Sequence, residues 1–351
     1  MPSLDKQTRQ LINAARLLGS GPLSIFLEDA TLIRLCAIVA GDLDQPTLVA
    51  PIADPDEWAA GYYHIPLQWF NQPVAATVTL TDVFLSLQGH VEDFATYFRG
   101  LCELHKRRVK FQRILEQQPI PRLATVIPRS LLEFGLRPPE ALTSWLIWRK
   151  WLYDVDNRSA QETGYLFEPI LAAAIGGVPY AAGRSPVRRL GETERGRQVD
   201  CLDGRDAYEF KMRVTLAASG QGRFQEELSF ARDCQASGYV SILLVLDPTP
   251  SLRLDDLAAV YQQYGGTAYI GDDAWAHIAS KAGRVMGLFV EKYIHTPLRE
   301  VSSTHPALQP LRLVQTESAI QIEIGTQQFV LSRSGPTLDF TEHEISELES
   351  L

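Results

Sequence analysis

The segment Arg197–Arg213, RQVDCLDGRDAYEFKMR, constrains the fold more than any other stretch of the chain. Side chains alternate between the faces of a strand. A strand over Ala207–Arg213 therefore turns Tyr208, Phe210 and Met212 one way and Glu209, Lys211 and Arg213 the other. The first set reads as a core face. The second gathers a carboxylate, an ammonium and a guanidinium on one side. Asp203-Gly204-Arg205-Asp206 is rich in turn-forming residue types. Closed as a four-residue loop, it sets Leu202 opposite Ala207, Cys201 opposite Tyr208, and Asp200 opposite Glu209. Directly opposed residues have Cβ atoms about 4.5–5.5 Å apart, where two carboxylates repel unless a cation neutralises them. An oxygen-only pair suits a hard ion such as Mg²⁺, which takes one or two carboxylates together with water and phosphate oxygens. Lys211, two residues along, is placed to hold or activate a water there.

The rest of the chain supplies a frame for this hairpin. The spacing predicts an amphipathic helix over about Leu4–Leu18, a buried apolar segment from Leu32 to Val39, and a strand near Val74–Leu80. A long helix is expected from Asp82 to Gln117, with a heptad-like stripe of Phe84, Leu87, Val91, Phe94, Phe98 and Leu101. Pro119, Pro121 and Pro128 end it, and Pro138-Pro139 opens a Trp-rich helix to about Val155. Ser159–Glu162 reads as a capping box starting another helix, which Gly176-Gly177 stops. Strands at Val187–Leu190, Gln198–Leu202 and Ala207–Thr215 follow, then a Gly/Ser loop at Ser219–Gly222 and a helix over Phe224–Gln235. After these come a buried strand at Tyr239–Leu246, a helix at Asp255–Tyr264, a strand at Thr267–Ile270 and a helix from Asp273 to Ile294. This order predicts an α/β fold, a mixed central sheet flanked by helices. Three regions are expected: a mostly helical N-terminal region over 1–150, a core over 151–298, and a β-hairpin appendage with an acidic tail over 299–351.

Composition removes several classes. The 351 residues are 45% hydrophobic and 21% charged, which suits a folded globular protein. No apolar run reaches the roughly 18 residues of a membrane span, and Met1–Arg16 lacks a signal-peptide core. The expectation is a cytoplasmic protein without a membrane partner. The four cysteines lie far apart with no CxxC spacing, against a zinc site or disulfide framework. The net charge of −9 draws five of its acids from residues 338–351. Positive charge concentrates in His105–Arg113 and Arg184–Arg197, and Arg outnumbers Lys 26 to 7, which favours bidentate contacts to phosphate or guanine. Arg184, Arg188, Arg189 and Arg197 are candidates for backbone phosphate. Arg213 shares the face of Lys211. In the loop Ala217–Arg223, Gln221 and Arg223 are candidates for base edges or phosphates.

The hairpin and its surroundings resemble the PD-(D/E)xK nuclease superfamily, most of all type II restriction endonucleases. That pattern runs as a helix with a Glu, a hairpin strand with an Asp, (D/E)-x-K on the next strand, a crossover helix and a buried strand. Here the matching residues are Glu168 or Glu162, then Asp200, Glu209-Phe210-Lys211, the helix 224–235 and the strand Tyr239–Leu246. Val199 stands before Asp200 where the pattern has Pro. Glu162 has a local task as the N3 residue of a capping box, so Glu168 is the preferred auxiliary acid. The resemblance covers about 159–250. It implies a restriction-endonuclease-like core and Mg²⁺-dependent hydrolysis of double-stranded DNA leaving 5′-phosphates, with Asp200 and Glu209 binding metal, Lys211 handling the water and Glu168 assisting. It also implies a homodimer reading a palindromic site and a companion DNA methyltransferase in the cell. The stripe at 84–101 and the helix 273–294 are the candidate dimer faces. Two other readings stand beside this one: a structure-specific or repair nuclease of the same fold, and a non-catalytic DNA-binding or assembly protein.

Overall fold

The computed structural model describes residues 5–19, 23–49, 52, 61–212, 220–304 and 307–333, with the backbone alone at 192–195 and 220–223. Arg213, most of the loop 217–223 and the acidic tail lie outside what is described. The N-terminal part is helical: α1 (Lys6–Arg16), α2 (Asp29–Asp42), α3 (Leu80–His90) and α4 (Phe94–Gln117). The single helix expected over 82–117 is thus two. Asp93, at φ 52°, breaks it in the left-handed region, while the apolar stripe runs on across the break. The strand expected at Val74–Leu80 is absent, because Thr79 caps α3 by accepting from the Asp82 N–H at 3.2 Å.

One helix, α5, spans Pro139–Ile175 without interruption. It replaces the two helices expected there, and the boundary drawn at residue 150 falls inside it. The Ser159–Glu162 signal is therefore not a helix start. Pro169 is tolerated within it. Gly176, at φ 88°, ends α5, and its N–H and that of Gly177 both donate to the Ala172 carbonyl.

The central sheet has five strands in chain order: β1 (Val178–Tyr180), β2 (Val199–Asp203), β3 (Asp206–Lys211), β4 (Val240–Val245) and β5 (Thr267–Ile270). β1, β2 and β3 are antiparallel neighbours, while β3, β4 and β5 run parallel. β1 has no counterpart in the sequence reading. Arg188–Arg189 pairs instead with Glu192–Gly196 in a separate two-stranded ribbon. The crossover helix α6 (Gly220–Ala236) joins β3 to β4, and α7 (Leu252–Gln263) joins β4 to β5. α6 starts at Gly220, inside the expected Gly/Ser loop. The expected helix 273–294 divides into α8 (Asp272–Lys281) and α9 (Arg284–Val290), the latter running through a π-turn at Glu291–His295 into α10 (Thr296–Ser303). A small antiparallel sheet of β6 (Leu311–Gln315), β7 (Ala319–Ile324) and β8 (Gln327–Ser332) follows.

Tyr208 and Phe210 bury into one core with Leu171, Ile242, Leu244 and Phe289, whereas Ala207, Leu243 and Val245 bury into a second with Phe230 and Leu257. The sheet is therefore covered on both faces, as the alternation in β3 requires. Both expected dimer faces are spent inside the chain. Phe84, Leu87, Phe94, Phe98 and Leu101 are at most 1% exposed, and Ile278, Val285, Phe289 and Tyr293 at most 3%. The His105–Arg113 cluster on α4 is likewise internal. Lys106 donates to the Ala14 and Leu17 carbonyls, and Arg108 lies over the rings of Tyr62 and Tyr63. His105 is buried and pulled down to about 3, by desolvation and then by Arg108.

Candidate active site

The β2–β3 hairpin has the expected pairs, Cys201 with Tyr208 and Leu202 with Ala207. The ladder continues to Asp203 and Asp206, so the connection is the two-residue turn Gly204-Arg205 and not a four-residue loop. Gly204 at φ 58° supplies the left-handed conformation it needs. The paired ladder ends at Cys201 and Tyr208; Asp200, expected opposite Glu209, lies just beyond it. Its Oδ2 accepts from the Phe210 N–H at 2.8 Å, which fixes the carboxylate against β3. Asp200 is 7% exposed.

Lys211 donates to Glu209 Oε1 at 2.8 Å and reaches Glu227 Oε1 on α6 at 3.2 Å. Burial pulls its ammonium down, but Glu209, Glu227 and Asp200 more than reverse this and hold it firmly charged. Glu168 on α5 belongs to the same charge cluster. Burial first, then Glu209, push its carboxyl up to about 7, against opposing pulls from Lys211 and Arg107. Asp200 is driven well above the carboxylate range by burial, Glu209 and Glu168, although its bond from Phe210 and the charge of Lys211 work the other way. Asp200 and Glu168, both raised beside Glu209 and around one committed lysine, describe a site short of positive charge.

Through Glu168, Lys211 and Glu227 the cluster opens on a cleft of about 1040 Å³ at the carboxyl ends of β3 and β4. Its walls include Glu168 and Gly164 of α5, Phe210 and Lys211 of β3, and Asp247 and Pro248 beyond β4. The carboxyl ends of parallel strands are the usual ligand-binding edge of such sheets.

The sequence-derived candidates divide into four groups. Asp200, Glu209, Lys211 and Glu168 come together. Glu162 does not join them: it accepts from Arg107 at 2.7 Å and Lys110 at 2.6 Å, binding α5 to α4. Arg197, expected on phosphate, is buried and donates to Asp233 at 2.7 Å and to Glu226, so its guanidinium is consumed by α6. Arg189 takes Glu226 through both oxygens. Arg184 and Arg188 are exposed, and the side chains of Arg213, Gln221 and Arg223 lie outside the described residues. Sequence reasoning missed Glu227, whose Oε2 is buried with no hydrogen-bond partner. Its only signal was an acid pair, Glu226-Glu227, on the crossover helix.

The model of the ApaLI-like restriction endonuclease family matches residues 70–295, which contain α4, α5 and the whole central sheet. The chain is 48% identical over 315 residues to the type II restriction enzyme ApaLI of Acetobacter pasteurianus, covering 85% of this chain and 83% of that protein. No solved structure matches. With the family model spanning more than half of the chain and the relative nearly all of it, the protein belongs to the ApaLI-like restriction endonucleases.

Proposed function

We propose that the chain is a site-specific endonuclease of double-stranded DNA that uses Mg²⁺ and leaves 5′-phosphates. The observation that carries this reading is the grouping of Asp200, Glu209 and Lys211 at one hairpin with Glu168 of α5 in the same charge cluster, Lys211 and Glu168 opening on one cleft. The donor set fits a hard divalent cation. Asp200 and Glu209 offer carboxylate oxygens alone, and burial first, then the charges of Glu209 and Glu168, push Asp200 toward protonation. Among the described residues no three His, Cys, Asp or Glu are grouped to hold a metal ion, so the reading rests on two carboxylates, with water and substrate phosphate as the remaining ligands. Bound there by Asp200 and Glu209, the ion would polarise a phosphoryl oxygen and lower the pKa of a water.

The chain's own groups have separable tasks. Lys211 is held charged, so it donates hydrogen bonds to the water or to the non-bridging phosphate oxygens and does not serve as the base. Glu168, held near 7, exchanges a proton readily at neutral pH. Cleavage at the 3′-oxygen leaves the phosphate on the 5′ side. A single cluster cuts one strand, and a homodimer supplies the second. A companion methyltransferase would protect the cell's own sites.

Purified protein incubated with phage and plasmid DNA tests the reading. Discrete bands with Mg²⁺, none with EDTA, and ends that polynucleotide kinase labels only after phosphatase treatment are expected. Intact DNA of every form under Mg²⁺ contradicts it.

A further inference from the structure

The π-turn, through His295, and α10, through Leu298, Arg299, Val301 and Ser302, line the same cleft as Glu168 and Lys211. Pro297 has no N–H, so the Tyr293 carbonyl four residues earlier lacks its helical donor. The Tyr63 hydroxyl donates to that carbonyl instead, at 2.6 Å. The helix widens at this point, and the Thr296 N–H donates to the Glu291 carbonyl five residues back. From the last residue of the turn onward, His295, Leu298, Arg299 and Ser302 recur at the i, i+3, i+4, i+7 spacing of one helical face, and all four line the cleft. His295 stacks on Trp275, with ring centroids 4.7 Å apart.

The charge of this cleft is lopsided. Asp156, Glu168, Glu227, Asp247 and Asp272 line it. Among the described lining residues the Lys and Arg side chains are Lys211 and Arg299, and Lys211 is committed to Glu209 and Glu227. Arg299 is 60% exposed and rests on Glu291 Oε1 at 3.1 Å, an acid itself 49% exposed. An ion pair so open to water holds its arginine weakly, and a phosphate offers the guanidinium two oxygens in fork geometry.

We propose that the α10 face, led by Arg299 with Ser302 and His295 beside it, is a DNA-backbone clamp. It holds a phosphate across the cleft from the one that Lys211 and its carboxylates address. This rests on the endonuclease reading above. Arg299 leaves Glu291 for the phosphate when DNA enters, and the π-turn sets the angle at which the face meets the cleft.

The test is equilibrium binding of a fluorescein-labelled duplex in EDTA between about 50 and 200 mM KCl, with Mg²⁺ cleavage kinetics alongside. Arg299→Ala is expected to weaken binding about five- to tenfold and to reduce the slope of log K against log salt by about one. Its KM rises by a similar factor while kcat stays within about twofold of wild type. Arg299→Lys restores the slope but not all of the affinity. Thermal unfolding checks that both variants are folded. Unchanged affinity and slope in Arg299→Ala, or a loss confined to kcat, overturns the clamp while wild-type cleavage leaves the endonuclease reading standing. A wild type that neither binds nor cuts duplex overturns both.

Discussion

Glu162 and Glu168 stand six residues apart on α5 and do opposite work. Glu162 anchors two cations of α4, whereas Glu168 is raised by burial and then by Glu209. A carboxyl raised on folding binds its proton more tightly in the folded state. Stability is therefore fullest below the ordinary value of about 4.5 and falls as pH rises toward 7. Glu168→Gln removes that cost and is expected to gain on the order of 1–2 kcal/mol at pH 8 and close to nothing at pH 4, while losing cleavage. Glu162→Gln loses stability at both pH values and retains single-turnover cleavage. Urea unfolding at pH 4 and 8 reads both, and equal pH profiles for Glu168→Gln and wild type would sink the assignment. That Glu162 has a task of its own was legible in the sequence, although that task proved to be ion pairing to α4 and not capping. The fate of Arg197 was not legible: its partners Glu226 and Asp233 lie on α6, with no spacing signal to join them.

At the scale of elements, the hairpin was readable because a period-two pattern and a turn signal agreed on one register. α5 was not. Ser159 and Glu162 imitate a helix start, but the Ser159 carbonyl accepts from the Thr163 hydroxyl at 2.7 Å inside a continuous helix, and tertiary packing carries α5 through a local cap signal. The split of α3 from α4 was hidden for a similar reason, since one left-handed residue leaves the apolar stripe intact. The junction of α5 with β2 depends on Gly177. A Cβ added there would lie 2.3 Å from Cys201 Sγ and 2.8 Å from the Leu202 carbonyl oxygen. Gly177→Ala is expected to cost about 2–3 kcal/mol by overpacking, seen as a lower urea midpoint at unchanged m-value. Gly183→Ala meets nothing within 4 Å and should move the midpoint little. Equal midpoints for the two variants would show that the junction has room.

Over the whole molecule, the hydrophobic core and the charge distribution determine where DNA can be engaged. The largest core joins Ile12 and Phe84 of the N-terminal helices to Leu171 of α5, Tyr208 of β3 and Phe289 of α9, so those helices brace the sheet that carries the site. Net charge and basic runs were poor guides. The longest basic run, on α4, is consumed by carbonyls, aromatic rings and Glu162, while the acids of the cleft are what a bound cation would balance. No helix among the described residues is long and apolar enough to cross a membrane. The central claim is that one hairpin cluster cleaves the strand. Single-turnover cleavage by Lys211→Ala, with duplex binding measured on the same preparation, tests it most directly. The account predicts a rate at least about 10³-fold below wild type, with affinity within a few fold. Cleavage within about threefold of wild type by a variant that binds DNA normally would place the chemistry elsewhere.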